Sequence, residues 1–180
     1  MCVYEPGART RAATMLRATA MLAPRHPELR VLLVGPGAED EGLRMHAAAL
    51  GVPRAVSHVG VASDLAPLLA SADLGWVVAG GDEGAYGALD CMAARLPVLA
   101  EVGSVAGRYV ADGISGVHIA AGDVPGTAAV IAELLAHHDD RRAMGQAGAA
   151  RLARSHGEAP LVDAFVRAAE TARDRSRWSA

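Results

Sequence analysis

Lysine is absent from the 180 residues, and all 17 basic side chains other than histidine are arginine. Against 20 acidic residues they leave a net charge of −3 and an isoelectric point near 6.1. A generic nucleic-acid binder needs a basic surface, so that class loses ground. Cysteine is nearly absent too. Cys2 and Cys91 are too few for a disulfide framework, which points to a reducing, cytoplasmic setting. Aromatic residues make up only 3%, so the core must be built from Ala, Val and Leu. No apolar run approaches the ~20 residues that span a bilayer. The start, Met1-Cys2-Val3-Tyr4, lacks a basic segment followed by an apolar stretch, so no signal peptide is expected.

What is present is a 52% apolar chain of ordinary domain length, able to bury a core without disulfides or metal. The 40 alanines and the arginine-only cation set read as a coding bias with little functional content. Helical periodicity covers 12–23, where Met15, Leu16, Thr19 and Leu22 share a face before Pro24 and Pro27. The run 30–34 is apolar throughout, as expected of a strand buried on both faces, and ends at Gly35-Pro36-Gly37. A helix follows, with acids at 39–41 and its end near Leu50. Further strands are expected at 56–60, 74–78, 96–100 and 116–120. Helices are expected at 64–70 (capped by Ser63), 86–95, 105–111, 126–137, 139–154 and 158–173. Strands alternating with helices at this spacing imply βαβ units and a doubly wound parallel sheet. Ligands of such sheets sit at the carboxyl ends of the strands, which directs attention to loops 35–38 and 79–88.

Gly35-Pro36-Gly37 lets a backbone approach a ligand and precedes a helix start, where amides favour an anion. It reads equally well as a tight strand-to-helix turn, since no third glycine completes a dinucleotide fingerprint. In the second loop seven residues separate Asp82 from Asp90 around a helix start, with Glu83, Gly84 and Gly87 between them. Carboxylates there suit sugar hydroxyls and amides suit phosphate. The competing reading has Asp82 and Glu83 favouring the helix dipole and Asp90 solvated. The seven histidines show no metal-like pairing, and no metal site is expected. His137-His138 sits near a helix end, and Arg141-Arg142 and Arg151-Arg154 read as solvated helix faces.

The stretch Asp90-Cys-Met-Ala-Ala-Arg-Leu-Pro-Val98 resembles the Glu-Ala-Met-Ala-x-Gly-x-Pro-Val segment of family 4 retaining glycosyltransferases of the GT-B fold. Asp82 and Asp90 match that family's acid pair, with Asp replacing Glu twice. Leu32-Leu-Val-Gly-Pro-Gly37, His58-Val-Gly60, Leu68-Leu-Ala-Ser-Ala-Asp73, Val110-Ala-Asp-Gly-Ile-Ser-Gly116 and Ala121-Gly-Asp123 follow in the family's order. The resemblance covers residues 3–172 and only the C-terminal, donor-binding half of the architecture. It implies a single Rossmann-like three-layer α/β domain over 1–172 with a polar tail over 173–180. It further implies a nucleotide-diphosphate sugar as donor substrate, no other cofactor, and an N-terminal acceptor domain missing from this chain or supplied separately. Peripheral contact at the inner membrane face is implied because related enzymes act on lipid acceptors.

By position, the resemblance gives Asp90 the ribose hydroxyls and Asp82 the donor sugar, and makes these two the catalytic acids. Gly35 and Gly37 would line the diphosphate. Glu83, Gly84 and the amides of Tyr86, Gly87, Ala88 and Leu89 would meet diphosphate or sugar, and His58 would face the base. The family's Arg and Lys on the diphosphate have no counterpart, because the alignment puts Tyr4 and Thr10 there. Arg9 or Arg11 would have to substitute. Loss of one charge-assisted contact in a dry site costs ~2–4 kcal/mol. Arg95 stands where the family has Gly. The expectation is therefore a donor-binding domain that is inactive in isolation. The alternatives are a degenerate, non-catalytic domain acting as partner or scaffold, and an unrelated nucleotide-binding protein.

Overall fold

The structure, a computed structural model, describes residues 1–5, 7–78, 81 and 83–176. All five expected strands are present: β2 (Val31–Val34), β3 (Val56–Gly60), β4 (Gly75–Val77), β5 (Val98–Glu101) and β6 (Gly116–Ile119). A sixth, β1 (Cys2–Val3), was not anticipated. Two residues are too short for a periodic pattern, yet β1 sits mid-sheet. Cys2 lies opposite Leu33 and Trp76, and Val3 opposite Val34 and Val77. All pairings are parallel and the order is β3-β2-β1-β4-β5-β6.

The helices are α1 (Arg9–Leu22), α2 (Glu41–Ala49), α3 (Ala66–Ala70), α4 (Glu83–Ala93), α5 (Val105–Tyr109), α6 (Val124–Ala136), α7 (His138–His156) and α8 (Glu158–Ser176). Both α1 and α4 open three residues earlier than periodicity suggested. Asp64 rather than Ser63 accepts the amide of Ala66, at 2.9 Å. The last helix runs three residues past its expected end to Ser176, and Arg177–Ala180 fall outside the described residues.

Side chains alternate along each strand, so every central strand feeds two cores. Cys2, Leu33, Trp76, Val78 and Leu99 join Met15, Leu16, Leu43, Ile131 and Leu134 under α1, α2 and α6. Val77, Val98 and Ala100 join Leu69, Ala88, Cys91, Met92 and Ala106 under α3, α4 and α5. Alanine packs these layers closely, with Ala12, Ala18, Ala88 and Ala100 fully buried. Burial pushes both thiols up to about 12, so Cys2 and Cys91 are core residues without thiolate character. Two arginines expected on solvated faces are tethered instead. Arg141 donates to Asp73 and to the carbonyls of Leu134 and Leu135 at the end of α6, and Arg151 donates to the Tyr109 carbonyl. The unsatisfied carbonyls of helix ends draw both. His137 closes α6 with its ring on the Glu133 carbonyl.

Candidate functional site

From β1 the chain winds outward to β2 and β3, then crosses back to β4 on the other side. The loops leaving β1 and β4 therefore diverge, and a crevice opens between them at the carboxyl ends of the strands. A cleft of about 560 Å³ occupies this place. Its walls are Val3, Tyr4 and Glu5 from the end of β1; Val34, Gly35 and Pro36 from β2; Val61, Ala62 and Leu65 beyond β3; and Tyr86, Gly87 and Asp90 from α4. A second cavity of about 480 Å³ lies between the starts of β2 and β4, at the opposite end of the sheet. It is remote from the switch point.

Of the residues expected at the site, Gly35, Tyr86, Gly87 and Asp90 come together on the cleft. Gly35 is also required by the chain itself. Its φ is +133°, and a Cβ there would lie 2.0 Å from the Tyr4 carbonyl oxygen. Gly37 is not among the residues lining the cleft and lies against the Tyr4 ring. Amides of Ala38 and Asp40 fold back onto the carbonyls of Gly35 and Gly37. His58 sits behind this turn, its Nδ1 at 2.7 Å from the Ala38 carbonyl oxygen, and holds loop 35–38 against β3.

On α4, residues 86, 87 and 90 share one face by helical spacing. Gly87 lets that helix close onto β1, since a Cβ there would meet Val3 Cγ1 at 2.8 Å. Ala88 points into the core, Leu89 is half-buried, and Gly84 is buried with its amide on the Gly81 carbonyl. Because α4 opens at Glu83, residues 87–89 lie beyond its first turn, where amides donate back along the helix. Asp82 lies outside the described residues. The carboxyl of Asp90 is held above its ordinary range by desolvation against the apolar walls.

The two arginines nominated for phosphate are both engaged. Arg9 pairs with Asp40 on the β2 side, and Arg11 donates through Nε to the buried Glu101 at 2.6 Å on the β5 side. Neither lines the cleft. Glu5, which the sequence reading did not single out, does: its Oε1 accepts the Gly81 amide at 2.6 Å across the switch point. Recognising β1 would have found it, as the second residue after that strand. Two carboxylates thus line the cleft, and its described lining contains no basic residue. Among the described residues no cluster of His, Cys, Asp and Glu is placed to hold a metal, and no helix is long and apolar enough to cross a membrane.

A search of curated proteins returns no match. The family model "Glycosyl transferases group 1" matches residues 8–151. Among solved structures, HepE from Anabaena in complex with UDP and glucose superposes with a TM-score of 0.79 at 19% identity, over 96% of this chain and 47% of that one. Sucrose-phosphate synthase from Thermosynechococcus elongatus gives 0.75 at 22% identity, over 95% and 45%. The C-terminal domain of LpcC from Francisella tularensis, a glycosyl transferase group 1 family protein, gives 0.73 at 14% identity, over 88% and 84%. At these identities the likeness establishes the fold. The chain spans about half the length of HepE and of the synthase.

Proposed function

The chain belongs to the glycosyl transferases group 1 family, and from that premise we propose that it is the donor-binding domain of a retaining glycosyltransferase, with a nucleotide-diphosphate sugar as its ligand. The observation that carries this reading is Asp90, on a cleft wall at the topological switch point and facing the glycine turn after β2. An ionised carboxylate there accepts hydrogen bonds from the vicinal hydroxyls of a ribose. Val61 and Leu65 offer apolar surface to the base. Tyr86 and Gly87, near the start of α4, line the cleft, and the free amides of a helix start suit an anion. Asp82 would meet the sugar. The solved complexes of HepE with UDP and with UDP-glucose favour a uridine donor.

In such a transfer the anomeric carbon gains positive charge as the diphosphate departs, and donors aimed at the leaving oxygens lower the barrier. Arg9 or Arg11 would supply them only after leaving Asp40 or Glu101. Acceptor contacts belong to a second domain, in the same or a separate polypeptide. The engaged arginines and the carboxylate of Glu5 in the cleft favour one other reading, a degenerate domain that serves as partner or scaffold.

Calorimetry with UDP, GDP and ADP separates the two. Micromolar binding of one nucleotide, weakened roughly tenfold to a hundredfold by Asp90→Ala, is expected of the donor site. Absence of binding at millimolar concentration would leave the scaffold reading standing.

A further inference from the structure

We infer that Glu5 is a resident anion of the cleft that competes with a ligand's phosphates for the Gly81 amide, and so determines how well the cleft accepts a diphosphate. This rests on the donor-cleft reading. The bond from Gly81 to Glu5 joins the loop after β1 to the loop after β4, across the crevice where the strand order reverses. At 2.6 Å it is a short, charge-assisted hydrogen bond. Backbone amides at this point of a doubly wound sheet are the donors an anionic ligand would use.

Among the described residues, the lining of the cleft brings no cation to this pair. Its other ionisable acid, Asp90, has the same sign, and its walls are otherwise largely apolar. The nearby arginines are neutralised by Asp40 and Glu101. A pyrophosphate entering the cleft must displace the Glu5 carboxylate from Gly81 or lie against it, like charge against like charge. A nucleoside has no such conflict, because its ribose and base need only Asp90 and the apolar walls. Glu5 thus sets the balance between the nucleoside and phosphate parts of the ligand.

The test is titration calorimetry of the whole chain with uridine, UMP and UDP, and with the guanosine and adenosine series, at low and high salt. Glu5→Gln keeps an acceptor oxygen of the same length and removes the charge. It is expected to raise the ratio of diphosphate to nucleoside affinity by about tenfold or more. Glu5→Asp, which keeps the charge but withdraws it from Gly81, is expected to give a smaller rise and serves if the first variant folds poorly. Binding with an unmoved diphosphate-to-nucleoside ratio in both variants would overturn the role of Glu5 alone. If no member of any series binds wild type or variants, the donor-site reading fails and the inference falls with it.

Discussion

Asp90 carries an electrostatic penalty that a purely structural residue would not need. Desolvation raises its carboxyl pKa, so the folded state binds that proton more tightly than the unfolded chain does. Its contribution to stability is complete below the ordinary aspartate pKa and is lost as pH rises through the higher folded value. Asp90→Asn removes that loss. The expected result is a small rise in Tm at pH 7 that vanishes in strongly acidic buffer, alongside a fall in nucleotide affinity. A variant that loses both stability and affinity would instead make Asp90 a fold residue. Asp90, Tyr86, Gly87 and Gly35 were legible in the sequence because their motifs fix both chain position and helix face. Glu5 was not, because it follows a two-residue strand that no pattern announces. His58, expected to face the base, has its ring on the Ala38 carbonyl, a contact that depends on a loop and a strand meeting in space.

The end of α4 shows how elements hold one another in place. Leu96 donates to the Cys91 carbonyl and Arg95 to that of Met92, a Schellman closure with Arg95 at φ +60°. That conformation costs a non-glycine residue about 1 kcal/mol, so Arg95→Gly is expected to stabilise the chain by roughly that amount in urea unfolding followed by tryptophan fluorescence. The carbonyl of Arg95 in turn lies against α7, where a Cβ on Gly145 would come within 1.9 Å of it. Gly145→Ala must push α7 off α4 and is expected to destabilise by about 1–3 kcal/mol in the same assay. The helix and strand order was legible because buried parallel strands are unbroken apolar runs and their connecting helices are periodic. Helix starts were less so. The first turns of α1 and α4 are polar or glycine-rich, so no apolar period marks where either helix begins.

At the scale of the whole molecule, α8 does not complete its own burial. Leu161, Val162, Phe165 and Val166 fall on one stripe by i, i+4 spacing and all stand exposed, Phe165 at 75%. The helix leans on α7 and turns this stripe outward. Contiguous apolar surface of this kind marks a contact face, and the solved neighbours that superpose on nearly the whole chain are about twice its length. Two outcomes follow for the purified 180 residues. In sedimentation velocity they are expected to self-associate through α8, and the pair Leu161→Ser with Phe165→Ser should return them to monomer while leaving nucleotide affinity unchanged, because neither residue lines the cleft. Incubated with UDP-glucose and a mixture of sugar and lipid acceptors, they are expected to yield no glycoside. Transfer to anything but water requires a second surface that holds an acceptor and excludes solvent from the departing diphosphate. Glycoside formed by this chain alone would place the acceptor site within these residues, and the face of α8 would then have to be explained by self-assembly.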